Sequence, residues 1–277
     1  MPSIAERLRH IDLKVERAKC HVADLDREIR GFLNSRPYGV GTKRDPNSRK
    51  LIYYVTGVRD TPSRLPLIAG DAIQNLMSAL DHLAYQLVCS DTDDGPPNPN
   101  WIYFPIQDTL DKYEAKKWGK IEGARQETID AIDALKPYQG GNDPLWMLYR
   151  LNNIEKHRLL ITVGSMFQSL DLGAHMSAMM AKSFGNDPAS PFFGKELPVL
   201  SAFFKPADVL FPLKAGDELF IDAVDAEPNE KMQFRFDVAL YEPQIVEAQS
   251  ILETLHQLTT LVEGIVVALT PRLKDTS

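Results

Sequence analysis

Apolar residues recur at alternating spacings of four and three in two long stretches near the ends of the chain. One stretch runs from Ile4 to Phe32 and the other from Ile251 to Leu269. This heptad-like spacing places the apolar side chains on a single helix face, which must pack against another element. The pattern therefore predicts long packing helices over residues 1–36 and 243–270.

Three further stretches show the helical period, at 67–89, 123–136 and 143–158. Five such helices with apolar stripes are typical of a helical bundle. We therefore expect residues 1–158 and 242–277 to form a mainly α up-and-down bundle.

Between the last two predicted helices the period changes from helical to alternating. Met232 to Leu240 alternates apolar and polar residues, which predicts a strand with one buried face. Phe220 to Ala223 is expected to pair with it, and Lys50 to Val58 is predicted to be a strand or an extended arm. The fold class is thus α+β, with a β-rich insertion at 159–241.

Composition sets limits on the partners. The chain has 277 residues, 44% of them hydrophobic, and a formal charge of -7. This is enough apolar material for a core, and the acidic balance argues against a broad basic surface for nucleic acid. A single local basic pocket remains compatible with the charge.

Localisation is predicted from cysteines and hydropathy. Cys20 and Cys89 have no metal-type spacing, so we interpret them as free thiols in a reducing compartment. The N-terminus has no signal-like apolar run, and the apolar stretch near the C-terminus is interrupted by Glu263. We expect a cytoplasmic protein without a membrane span.

The stretch WMLYRLNNIEKHR, residues 146–158, carries the candidate chemistry. Asp143 and Pro144 before it are typical of a helix start, with a capping side chain and then a proline. Residues seven apart share a helix face, so Arg150 and His157 point the same way. Trp146 and Asn153 lie on the same line.

A second polar line follows the predicted helix 67–89 at the same spacings. Its members are Asp71, Asn75, Ser78 and His82. This line can supply supporting or substrate-contacting groups, chiefly Asp71, Asn75 and His82, beside Asn153. It also permits a purely structural interpretation, in which Arg150 and His157 pair with Asp71 or Asp81 and fix the helix register.

An arginine and a histidine on one face suit phosphodiester chemistry. The histidine exchanges protons with a 2′-hydroxyl or the leaving oxygen, and the arginine holds the phosphate as charge develops. Such chemistry needs neither a metal nor another cofactor. The arrangement resembles the HEPN families, all-helical domains in which an arginine precedes a histidine by a short spacer, here the six residues between Arg150 and His157.

The resemblance implies a metal-independent endoribonuclease of a defence or toxin system, with RNA as partner and a homodimer as the active form. It covers the helical part of the chain and not residues 159–241. The family favours a polar residue directly after the arginine, and Leu151 stands there instead. The assignment is therefore confined to Arg150 and His157, and Asn153 is added from face geometry.

Two other classes of function fit parts of the sequence. A helical-bundle metal site can be built from His82 and His157 with Asp71, Asp81 or Glu155. No paired Cys motif or His-Glu-x-x-His is present to mark such a site.

The other class is a non-enzymatic scaffold that binds a protein partner. Its apolar surface would use the Met-rich run His175 to Lys182 and the pairs Phe192–Phe193 and Phe203–Phe204. The same residues are also typical of a buried core.

Overall fold

The fold is given by a computed structural model. It describes residues 3–92, 95–158, 163–171, 173, 203–204, 210–229 and 232–273. Of residues 157–158 and 203–204 it describes the backbone alone. The Met-rich run His175 to Lys182 and the pair Phe192–Phe193 therefore lie outside the described residues.

The described part of the chain contains six α-helices and two small antiparallel sheets. The helices are α1 (Ile4–Asn34), α2 (Arg64–Asp91), α3 (Leu110–Lys120), α4 (Gln126–Asp133), α5 (Asp143–Arg158) and α6 (Ile251–Leu269). The strands are β1 (Tyr38–Arg44), β2 (Lys50–Val58), β3 (Val163–Asp171), β4 (Phe203–Phe204), β5 (Glu218–Val224), β6 (Gln233–Glu242) and β7 (Val246–Ser250). The predicted α+β class with mainly helical content is confirmed.

These elements belong to two compact units. The first comprises Met1–Ile29, Ser63–Val163 and Leu240–Ser277, and the second comprises Arg30–Pro62 and Gly164–Ala239. The second unit thus joins residues 30–62, which the sequence pattern groups with the helices, to most of the β-rich stretch.

Helix α2 supplies the main core face of the first unit. It packs against α5 and α6, which also pack against each other. Ile73, Leu76 and Leu80 on α2 are fully buried, as the helical period predicts. Gly70 marks a close approach to α5, since a Cβ there would lie 2.4 Å from the carboxyl carbon of Glu155. Packing against α2 therefore fixes the position of α5.

Helix α5 begins where the proline and its neighbours predict, but the capping residue differs. The side chain of Asn142 accepts a hydrogen bond from the Leu145 N–H at 3.2 Å, which is the bond an N-cap residue makes. The Asp143 carboxylate instead accepts from the Gly140 N–H at 2.6 Å and closes the preceding turn. The cap is therefore Asn142 and not Asp143.

The second unit is built on antiparallel pairing between distant segments. Strand β2 pairs with β1 and with β5, so that Tyr53 lies opposite Phe220. The other sheet of the chain has the strand order β4-β3-β6-β7. The core of the second unit consists of Val55, Phe167, Leu170, Leu213 and Leu219.

The predicted pairing of Phe220 to Ala223 with Met232 to Leu240 is wrong. The first segment lies in β5 and pairs with β2. The second lies in β6, whose two edges are taken by β3 and β7. Because each strand has only two edges for hydrogen bonding, β6 has none left for β5.

The predicted start of the last helix at residue 243 is also wrong. Pro243 lies in a turn after β6, and the helix begins at Ile251 after strand β7. In β7 the residues Val246, Ala248 and Ser250 are buried and those between them are exposed. This period of two is the strand period, and the proline in front of it belongs to the hairpin.

The segment Ile251–Arg272 is long and apolar enough to cross a membrane, with 22 residues and a hydropathy of 1.2. Of its most apolar window, 44% is buried inside the protein. Helix α6 packs against α2 and α5 through this buried side. Length and composition alone do not distinguish a membrane span from such a core helix.

Candidate functional site around helix α5

Arg150 is held by an acidic residue that precedes α3. Its Nη1 donates to the Asp108 Oδ1 at 3.1 Å, and the arginine side chain remains 41% exposed. Among the described residues Asp108 is its one ion-pair partner, so Arg150 pairs with neither Asp71 nor Asp81. The guanidinium is thus oriented by one carboxylate and still reaches solvent.

Asp108 is itself fixed by its surroundings. The preceding residue, Gln107, donates its N–H to the Pro137 carbonyl at 3.1 Å, which anchors the segment against the loop before α5. The Asp108 carboxylate also accepts from Lys112 Nζ at 3.2 Å and from Trp146 Nε1 at 3.4 Å. Two residues of the predicted α5 line, Trp146 and Arg150, therefore meet on one carboxylate.

The charges around Asp108 favour its ionised form. Burial acts to raise the pKa of this carboxyl, but the hydrogen bonds from Lys112 and Trp146 and the contact with Arg150 outweigh burial. The pKa of Asp108 is therefore held below its ordinary value. The Arg150 guanidinium consequently faces a permanent negative charge at neutral pH.

Asp108→Asn is expected to lower the free energy of unfolding by about 1 kcal/mol at pH 7, because it removes a partly exposed ionic contact. Since the folded pKa of Asp108 is depressed, this stabilisation is present above the unfolded value of about 4 and is lost as the pH falls through the folded pKa. Urea unfolding at pH 7 and at pH 3 measures the difference. An equal difference at both values contradicts the ionic origin, and Asp111→Asn on the exposed first turn of α3 is the matched control.

His157 occupies the last turn of α5, seven residues after Arg150. Its backbone is helical, so the shared face predicted from the spacing is present along the helix axis. Its side chain lies outside the described residues. Asn153 between them is half-buried, and Leu151 is fully buried in the core. The apolar residue that follows Arg150 is therefore a packing residue.

The polar line on α2 does not bond to Arg150. Asp71 is exposed, and Asn75 donates its side-chain amide to the Asp71 carbonyl at 2.7 Å, within its own helix. Partial desolvation, then the charge of Lys14 and the nearby His10, lowers the pKa of His82. His82 therefore stands beside α1. Within the described residues no hydrogen bond or ion pair joins these three supporting candidates to Arg150.

A second titratable cluster lies between α2, the end of α3 and α5. The Asp81 carboxylate accepts from the Phe104 N–H at 3.0 Å. Burial raises the pKa of Asp81, against the opposing effects of that N–H and of the positive Lys156 and Lys120. Asp81 thus keeps its proton to a higher pH than an ordinary carboxylate.

Lys120 is the basic counterpart in this cluster. Burial lowers its pKa, although the charge of Asp81 opposes the shift. Its Nζ lies 5.7 Å from the centre of the Tyr149 ring on α5. A carboxyl and an amine with shifted pKa values near one helix are typical of groups that transfer protons. Periodicity in α2 did not reveal them, because Asp81 belongs to neither the apolar nor the polar line.

The metal-site interpretation gains no cluster from the structure. Among the residues whose side chains are described, no three His, Cys, Asp or Glu are placed to hold a metal ion. Glu155 packs against Gly70, and His82 stands beside α1. His157, the other imidazole of that interpretation, is outside the side chains compared.

Comparison of the chain with protein-family models, with curated proteins and with solved structures gave no match.

Proposed function

We propose that the chain is a metal-independent endoribonuclease of a defence or toxin-like system, with Arg150 and His157 as its catalytic residues. RNA is the substrate, the working form is a cytoplasmic homodimer, and the helices have the up-and-down arrangement of a HEPN-like domain. Asn153 is a supporting group on the same helix, and Asp71, Asn75 and His82 are supporting groups on α2. No cofactor takes part.

One observation supports this proposal most directly. Arg150 is half exposed and oriented by Asp108, on the same continuous helix that carries His157 seven residues later. A guanidinium fixed at one nitrogen keeps its remaining donors for a phosphate, which takes charge-assisted hydrogen bonds in a planar geometry. Pre-orientation by Asp108 lowers the cost of placing the side chain when the substrate binds.

The chemistry assigned to the two residues is phosphoryl transfer to an internal oxygen. His157 takes the proton from a 2′-hydroxyl, whose oxygen attacks the adjacent phosphorus while the bond to the 5′-oxygen breaks. The 5′-oxygen leaves with a proton from a second acid. Arg150 stabilises the negative charge on the phosphate oxygens during the exchange. A homodimer supplies a second His157 for the second proton transfer.

Cleavage of a labelled single-stranded RNA in the presence of EDTA tests the proposal. We expect the purified chain to cleave, and Arg150→Ala to lower the rate about 10²-fold, the effect of losing one electrostatic contact to the transition state. Arg27→Ala is the matched control, since that arginine is 75% exposed on α1 and pairs only within its own helix. Cleavage that EDTA abolishes contradicts the metal-independent mechanism. No cleavage at all contradicts the ribonuclease assignment.

A further inference from the structure

The second unit contains an open cleft of about 820 Å³. It lies between β1, β2 and β6, and its floor is aromatic: Tyr38, Tyr53, Phe234 and Phe236 all line it. A volume of this size is in the range of small-ligand sites and is too small for a folded protein partner.

The aromatic rings form two adjacent pairs. Tyr38 and Phe236 have ring centres 4.3 Å apart at 32°, and Tyr53 and Phe234 have theirs 5.5 Å apart at 43°. Both tyrosine hydroxyls are engaged: Tyr38 donates to the Ser165 Oγ at 2.9 Å, and Tyr53 accepts from the Asn229 N–H at 2.8 Å. The rings are therefore held in place without a ligand.

Burial separates the rings into a base and a surface. Tyr53 is buried to 3% exposure, whereas Tyr38, Phe234 and Phe236 are only half-buried. The half-buried rings keep part of their area open to the cleft. Planar faces of this kind accept nucleobases by stacking, whatever the base, because each base has its own π face.

The charge in the cleft has one sign. Among the described lining residues the charged side chains are Arg36 and Arg235, both exposed. A guanidinium matches a phosphate in geometry and charge and also stacks on aromatic planes. This local basic site stands in a chain of formal charge -7, so the cleft concentrates positive charge where the surface as a whole does not.

We propose that this cleft binds a nucleobase together with its neighbouring phosphate, as part of a single strand of RNA. The half-buried rings stack on the base, and Arg36 and Arg235 hold the phosphate. For its biological role the inference rests on the ribonuclease proposal, to which it adds a substrate contact in the second unit. Binding itself does not depend on cleavage, and the two can be measured separately.

The test is binding of a fluorescent oligouridylate whose 2′-oxygens are methylated, which removes the attacking hydroxyl and prevents cleavage. Fluorescence anisotropy at several salt concentrations gives Kd and its salt dependence. We expect Arg36→Gln/Arg235→Gln to weaken binding about tenfold at low salt and to reduce the salt dependence. Arg49→Gln is the matched control, because this arginine is 68% exposed in the same unit and does not line the cleft. It should bind as the parent does.

Phe236→Leu tests the stacking contact while keeping an apolar side chain of similar volume at a position that packs on Phe167. We expect binding weakened about tenfold, with an unchanged melting temperature. Uridine 5′-monophosphate, measured by calorimetry, separates the sources of the ligand. Its binding to the parent and not to the arginine variant shows a site for any nucleotide, and binding of the strand alone shows a site that needs a second phosphate.

The inference is overturned if the cleft variants bind the methylated strand as tightly as Arg49→Gln does, or if the parent does not bind it. These outcomes are distinct from failure of the ribonuclease proposal. A parent protein that binds the methylated strand through the cleft but never cleaves the unmodified one retains the cleft site and loses the catalytic assignment. A parent that cleaves and whose cleft variants bind normally gives the opposite result.

Discussion

His157→Ala is expected to slow RNA cleavage about 10²–10⁴-fold, the range that general acid–base catalysis contributes. Alanine has no group that can exchange a proton, whereas Arg150 and its ion pair with Asp108 remain in place. The effect should therefore fall on the chemical step and not on binding. Single-turnover cleavage with saturating protein measures that step directly.

Two controls give this result its meaning. His256→Ala removes an exposed histidine from α6 in the same unit and should cleave at the parental rate. The methylated oligouridylate should bind to His157→Ala as it binds to the parent. If His157→Ala cleaves as fast as His256→Ala, His157 is not the proton-transfer group and the catalytic assignment fails.

Asp91→Ala is expected to lower the free energy of unfolding by about 3 kcal/mol, because it leaves buried donors without an acceptor. The Asp91 side chain has no exposed area and forms an ion pair with Arg125. Its carboxylate accepts from the Arg125 N–H at 2.9 Å, the Arg125 Nε at 2.6 Å and the Thr128 hydroxyl at 2.7 Å. Thr128 is 2% exposed, so water does not readily replace the lost acceptor.

Urea unfolding of the variant beside Asp24→Ala measures this effect. Asp24 also pairs with an arginine, Arg27, but its side chain is 51% exposed. Its replacement should therefore change stability by no more than about 0.5 kcal/mol. The contrast isolates burial as the cause, since both variants remove an aspartate from an ion pair. Equal effects from the two variants contradict this account.

Local signals in the sequence were enough for the helices that carry the candidate site. The period of α2 and the Pro144 signal before α5 act within one or two turns, and both helices form where these signals place them. The same kind of signal misled at Pro243. A proline is suited both to a helix start and to a turn, and the alternating burial of β7 decides between them only after folding.

Contacts between distant segments were not accessible in this way. Arg150 meets Asp108 across 42 residues, and the sequence offered Asp71 and Asp81 as equally suitable acids. The pairing of β2 with β5 is likewise set by which strand edges remain open, a property of the assembled sheets. Helix faces could thus be predicted from periodicity, and the groups opposite those faces could not. The shifted pKa values of Asp81 and Lys120 have the same origin, since burial by other elements causes them.

The close approach of Gly70 to Glu155 gives α2 a lever on the catalytic helix. Any side chain at position 70 must displace the Glu155 carboxylate, two residues before His157. Such a displacement shifts α5 while every proposed catalytic group stays chemically intact. In a screen for inactive variants, substitutions at position 70 would therefore mark the seat of a helix, and should not be interpreted as marking a group that touches RNA.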